Sequence, residues 1–351
     1  MHMPSAATPF GSVPPGPRTR GLCALLLVCA ALVVGGGLAA APGREVNAAG
    51  DDVAAAEQAD GPGPGEDGRS GLWEHVVRSV VIVCVGIVLA VALLLLFEDR
   101  FIFHPTREPV ESWLPEGLGV TECRFRARDG TLLHGWWHPG EGPGDPARRP
   151  VVLWCCGNAG NITHRAENLR GLVEQGLAVL LFDYRGYGRS EGRPFEVGLY
   201  LDGEAAHQYL TSVQGVEPDR IVCFGRSLGA AVAVHVALRA RPAGLIMESP
   251  FVSVAAMVRK TPVVRAFVCL LRNRFDNLGK VRLLKVPLLV VHGAQDELVP
   301  LAQGRAVFEA AREPKEFLLV ERAGHNDVYA VGGRWYCERI AEFCRRCVAG
   351  G

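Results

Sequence analysis

Gly225-Arg226-Ser227-Leu228-Gly229 is the stretch that decides the fold, because of what flanks it. Arg220 to Phe224 (RIVCF) has the apolar, β-branched character of a short strand, and Leu228 to Arg239 (LGAAVAVHVALR) the alanine-rich character of a helix. A serine on the tight turn between two such elements is a nucleophile elbow. The turn strains the serine backbone and packs strand on helix with no room for side chains, which is why Gly225 and Gly229 flank it. In a chain with 42 glycines the five-residue pattern alone says little. Its weight comes from the strand before, the helix after and the partners downstream.

Those partners arrive in a telling order. Pro287 to His292 (PLLVVH) is a buried-strand run followed by a loop that carries Asp296, and Lys315 to Val320 (KEFLLV) is another, followed by Gly324-His325-Asn326-Asp327. Ser, then Asp, then His is the chain order of one serine-hydrolase fold and not of the others. A serine hydroxyl is a poor nucleophile at its own pKa and needs an imidazole to take its proton. His325 suits that task and the later delivery of the proton to the leaving group, while Asp296 would fix the ring's tautomer and stabilise the imidazolium. A lone His or Asp after a strand is more often an ordinary loop residue. Here, however, a parallel sheet would bring both to the edge where Ser227 sits. Glu297 and Asp327 are the rival acids, and Asp183, which precedes the serine, is expected to organise its own loop.

An oxyanion hole is expected after the strand Val151 to Cys155, in the loop Cys156-Gly157-Asn158-Ala159-Gly160-Asn161. Small residues there let backbone N–H groups approach a developing oxyanion. The donors assigned are the amides of Leu228 and Asn158, with Ala159 as the alternative to Asn158. An ordinary glycine turn or a phosphate cradle would look similar, but no Walker or dinucleotide glycine pattern accompanies this one.

The segments CGNAGNITHR (156 to 165), DYRGYGRSEGRP (183 to 194), GRSLGA (225 to 230), ESPF (248 to 251) and AGHND (323 to 327) together resemble the Bem-type branch of the α/β-hydrolase superfamily, over about Phe101 to Phe343. The resemblance implies the α/β-hydrolase fold, a membrane anchor before the domain, and Ser227, Asp296 and His325 as a triad. It suggests hydrolysis of acyl esters or thioesters, such as lysophospholipids or palmitoyl-cysteine. One departure stands out: the family usually has His before the glycine of the oxyanion loop, where this chain has Cys156. A hole made of backbone amides survives that change, whereas a role for the ring in shaping the loop does not.

Eight candidate strands (121–126, 132–138, 151–155, 178–183, 220–224, 243–248, 287–292 and 315–320) alternate with helices near 163–175, 198–212, 228–239, 301–311 and 334–347. The pattern predicts an α/β domain over 101–351 with a mostly parallel eight-stranded sheet covered by helices. Between Ser249 and Val286 lies a segment rich in apolar side chains, a cap over about 251–286, in which Phe251, Met257 and Phe267 are candidate acyl contacts. The same pattern fits a helix that merely packs on the sheet.

Residues before 101 differ in kind. Leu22 to Ala41 is apolar and preceded by Arg18 and Arg20, so residues 1–42 read as a signal or anchor segment. Residues 43–71, rich in Gly, Ala, Pro and acids, read as a disordered linker. Val80 to Phe97 holds 18 residues without a charge, and a transmembrane helix is predicted over 79–97. If both apolar segments span, Arg18 and Arg20 favour a cytoplasmic start and a cytoplasmic catalytic domain; if the first stays out, the domain faces the other way. Net charge is +0, with no basic stripe, so nucleic acid is not an expected partner; membrane and a lipid or acylated-protein substrate are. Of the eleven cysteines, Cys344-x-x-Cys347 lies on an expected terminal helix rather than at a redox βαβ start and finds no matching Cys/His pair for zinc, so most read as reduced thiols. The proposed chemistry needs no metal or organic cofactor.

Overall fold

The computed structural model describes residues 67–142, 145–258 and 268–350. The expected segment 1–42 and most of the linker therefore lie outside the described residues, as does Phe267. The chain divides into two compact units at Leu94 and Leu95.

The first unit holds most of a long helix, α1 (Asp67–Ile102), which begins inside the segment expected as linker. Its stretch Trp73–Leu93 is long and apolar enough to cross a membrane. The helix does not stop where charge returns. Glu98-Asp99-Arg100 continue it for a further turn, in the second unit, because Glu98 and Asp99 find partners there.

That second unit is built on β1 (His104–Pro105), β2 (Thr121–Arg126), β3 (Leu132–His138), β4 (Val151–Cys155), β5 (Ala159–Gly160), α2 (Ala166–Val173), β6 (Ala178–Asp183), α3 (Glu196–Ser212), β7 (Ile221–Arg226), α4 (Leu228–Ala240) and β8 (Gly244–Glu248). It continues with α5 (Val254–Val258), α6 (Asn277–Val281), β9 (Leu288–Gly293), α7 (Leu301–Ala310), β10 (Lys315–Val320) and α8 (Val328–Ala349). Eight strands form one sheet in the order β2-β3-β6-β4-β7-β8-β9-β10. Only the pairings of β3 with β2 and β6 are antiparallel; the rest are parallel. The expected α/β architecture with a mostly parallel eight-stranded sheet is borne out, strand ends shifting by a residue or two.

The central strands are buried along their whole length, as expected of strands covered on both faces. Leu153, Leu180, Phe182 and Phe224 are sealed from solvent, and Trp154 stacks on Phe224 with centroids 5.3 Å apart. Each such side chain contributes about 1.5–3 kcal/mol by leaving water. Helix α3 packs on α4, and α2 on α8. Helix α4 is apolar nearly all round and is buried over most of its length, opening to solvent only in its last turn at Arg239. At one edge, β2 turns Arg124 and Arg126 to solvent, which blunts strand addition there. Parallel pairing has one functional consequence: β4, β7, β9 and β10 all end at the same edge.

Candidate active site

Ser227 stands alone between the last residue of β7 and the first of α4, half-buried, with φ 52° and ψ −114°. This left-handed, strained backbone holds because neighbours over-determine it. Its N–H donates to Glu248 O (2.8 Å), and its carbonyl accepts from Ala230 N (3.0 Å). A Cβ at Gly229 would lie 2.0 Å from Cys155 O, and one at Gly225 would lie 2.3 Å from Gly229 O. Both flanking glycines are therefore demanded by backbone contact, as the sequence pattern implied.

The loop after β9 carries Asp296 and the loop after β10 carries His325. The structure brings both to the serine. His325 Nε2 lies 3.0 Å from Ser227 Oγ, and His325 Nδ1 lies 2.8 Å from Asp296 Oδ2. With Nδ1–H donating to the carboxylate, Nε2 is left to accept the serine proton. The second oxygen of Asp296 accepts from Val299 N at 2.7 Å. Burial works to raise the pKa of Asp296, but the hydrogen bonds from His325 and the Val299 amide outweigh it and hold the carboxyl below its ordinary value. The two rival acids are otherwise placed: Glu297 is exposed, and Asp327 accepts from Gly324 N (2.6 Å) within its own loop.

Leu228 is the first residue of α4, so its N–H has no acceptor within the helix. Across from it, Gly157 lies against the elbow, where an added Cβ would sit 3.9 Å from Ser227 Cβ. Asn158 follows. Its side chain points away into a web of bonds with Ile102, His104 and Tyr187. Cys156, in place of the family's histidine, is buried. Its carbonyl accepts from Tyr184 OH (3.1 Å), and burial pushes its thiol up to about 12. Asn161 caps the turn after the loop, its Oδ1 accepting from Thr163 N (3.0 Å). Asp183 does more than organise its own loop. Its carboxylate accepts the Ile162 amide (2.9 Å) of this neighbouring turn and lies 3.6 Å from His134, with burial as the main cause of its raised pKa.

Sequence reasoning missed the group beneath the histidine. Arg226, nearly buried, pairs through Nε with Glu248 Oε1 (2.9 Å) and donates through Nη2 to His325 O (2.8 Å) and Asn326 Oδ1 (2.9 Å). Glu248 also accepts from Tyr336 OH at 2.5 Å. The variable position of the elbow thus ties β7 to the histidine loop. The ESPF segment was the available signal, since Glu248 at a strand end has to find a cation. Of the acyl-contact candidates, Phe251 lies in the hydrophobic core, and Met257 is half-buried with its sulfur 3.1 Å from Gln303 Nε2. Among the described residues no group of three His, Cys, Asp or Glu side chains comes together that could hold a metal ion.

Comparison with known proteins bears on the family and the fold. Residues 146–280 match the family described as serine aminopeptidase, S33. An uncharacterized protein of Mycobacterium tuberculosis is 38% identical over 271 residues, covering 76% of this chain and 93% of its own. Alpha/beta hydrolase domain-containing protein 17B of Homo sapiens is 34% identical over 199 residues, 56% of this chain and 67% of the human one. The chain belongs to the α/β-hydrolase family. Solved structures repeat the fold of this hydrolase at lower identity. An esterase of Pyrococcus furiosus superposes with a TM-score of 0.57 at 22% identity, over 70% of this chain and 97% of the esterase. An acetyl xylan esterase from Paenibacillus gives 0.55, also at 22%, over 71% and 92%.

Proposed function

We propose that this α/β-hydrolase is a membrane-anchored serine hydrolase that cleaves acyl esters or thioesters. The observation that carries the reading is the continuous chain from Ser227 Oγ through His325 to Asp296. Ser227 attacks the acyl carbonyl while His325 Nε2 takes its proton. The Leu228 and Asn158 amides face the oxyanion. His325 returns the proton to the leaving group, and water, activated by the same imidazole, resolves the acyl-enzyme. Asp296 keeps the tautomer and offsets the imidazolium charge. The apolar stretch Trp73–Leu93 supports an anchor, and an anchored serine favours a lipid or an acylated protein as substrate, with Met257 and Phe251 on the acyl side. If the apolar run Leu22 to Ala41 also spans, Arg18 and Arg20 favour a cytoplasmic catalytic domain.

Peptide hydrolysis is the second reading, favoured by the serine aminopeptidase description of residues 146–280. The test is fluorophosphonate labelling of the full chain in membranes, wild type beside Ser227→Ala, followed by acyl esters and thioesters of graded length and aminoacyl anilides. Labelling lost in the variant, with turnover of the acyl compounds, is the expected result. Turnover of the anilides alone moves peptide hydrolysis to the front. Absent labelling of folded wild type overturns both in favour of a non-catalytic scaffold.

A further inference from the structure

The residues just after the apolar stretch are fastened into the second unit beside the oxyanion loop. Glu98 is only 2% exposed, and its carboxylate accepts from the amides of Arg272 (3.0 Å) and Asn273 (2.8 Å) and from Asn273 Nδ2 (3.1 Å), with Arg272 Nε at 3.3 Å. Phe103 is buried and meets Phe275 edge-on, centroids 6.1 Å apart. From this base the chain reaches the oxyanion loop, where β1 pairs in parallel with β5, His104 opposite Ala159 and Pro105 opposite Gly160. Every polar position of the Asn158 carboxamide is engaged at this junction. Nδ2 donates to Ile102 O (2.5 Å) and lies 3.2 Å from His104 Nδ1, while Oδ1 accepts from Tyr187 OH (2.9 Å) and from His104 N (3.4 Å).

Resting on the serine-hydrolase reading above, we propose that the Asn158 carboxamide is a positioning residue. It registers the oxyanion loop against the strap Glu98–Thr106, so the alignment of an oxyanion donor is set by residues just after the apolar stretch. The physical reason is local. A carboxamide held at its nitrogen and its oxygen fixes the side-chain torsions, and with them the direction of the adjacent backbone N–H. Oxyanion stabilisation depends on donors that are already aimed, and a displacement of about 1 Å near a reacting centre can lower a rate about 100-fold. Asn158 is half-buried where strap and loop meet.

Two full-chain variants in detergent micelles test this. Asn158→Asp keeps size and the Oδ1 acceptor but sets a carboxylate oxygen, with no proton to donate, against Ile102 O. His104→Ala removes the exposed ring and leaves the strand pairing. The readouts are kcat and KM on a p-nitrophenyl acyl ester, the inhibition constant of an alkylboronic acid that forms a tetrahedral adduct on serine, and active sites counted by fluorophosphonate. We expect Asn158→Asp to lower kcat about 10- to 100-fold with KM within twofold and sites undiminished, and the boronate constant to rise by the same factor. His104→Ala should follow the same line with a smaller effect. A kcat within twofold of wild type for Asn158→Asp overturns the proposal, as does a loss fully explained by missing active sites. Wild type that neither labels nor turns over overturns the serine-hydrolase reading and this inference with it; active wild type with an indifferent Asn158→Asp overturns this inference alone.

Discussion

Replacing Arg226 separates structural from catalytic work at the site. Its guanidinium makes three bonds: one to Glu248, and two to the histidine loop at His325 O and Asn326 Oδ1. Arg226→Met removes all three and leaves the Glu248 carboxylate, 3% exposed, without its cation. Stranding a buried charge costs about 3–5 kcal/mol, a large share of what a domain of this size has in reserve. Adding Glu248→Gln removes the stranded charge yet leaves an oxygen to accept from Tyr336 OH. Most of the lost stability should return in the double variant, to within about 1–2 kcal/mol of wild type. Activity should not return with it. The His325 carbonyl still lacks its anchor, and the imidazole is no longer held at 3.0 Å from Ser227. We expect kcat to remain about 10-fold or more below wild type with KM little changed. Denaturant unfolding measures the first quantity, and turnover per fluorophosphonate-titrated site the second. A double variant that regains wild-type kcat refutes the argument, because the network would then serve folding alone.

Three further outcomes follow from the same contacts. Asp296→Asn presents an amide where His325 Nδ1–H must donate and should lower kcat by about 10³–10⁴; because the carboxyl's folded pKa is depressed, the stability it contributes is present above the unfolded value near 3.8 and lost as pH falls through the folded value, so acid unfolding of the variant should be less steep. Lys280 lies over the Tyr200 ring at 3.8 Å, and burial lowers its pKa from 10.5 to about 8 against attraction from Glu196 and Asp276. The unfolded chain then holds the extra proton between those values, stability rises with pH across that window, and Lys280→Met should remove up to about 1.4 kcal/mol per pH unit of that rise, as urea melts of both proteins will register. Gly229→Ala adds a better helix former worth about 1 kcal/mol but drives a methyl to 2.0 Å from Cys155 O; a loss of about 3 kcal/mol or more is expected in thermal unfolding, and a gain would contradict the packing described.

The fold was legible because its signals are local. Strands such as Val151–Cys155 and Leu288–Gly293 are buried on both faces and show as unbroken apolar runs, and the elbow's glycines are forced by backbone clashes that no other residue tolerates. Asp296 and His325 could be placed because parallel strands end at one edge. The Arg226 bonds and the strap were not legible. Arg226 reaches His325 across 99 positions, and Glu98 reaches Asn273 across 175, with no periodicity to announce either. The two-residue strands β1 and β5 are too short to show any alternation. Helix α8 starts earlier than its apolar pattern implies because it bends at Gly333, where φ is 52°.

The paired thiols beside the oxyanion loop bear on how this hydrolase answers chemical probes. Cys155 ends β4 and Cys156 opens the loop after it, a position that would mark the pair as a target for thiol-directed electrophiles. Both are buried, and burial pushes both thiols well above their ordinary pKa, which disfavours the reactive thiolate at neutral pH. Among the described cysteines, a thiol-directed electrophile should therefore pass over this pair and find the exposed Cys269.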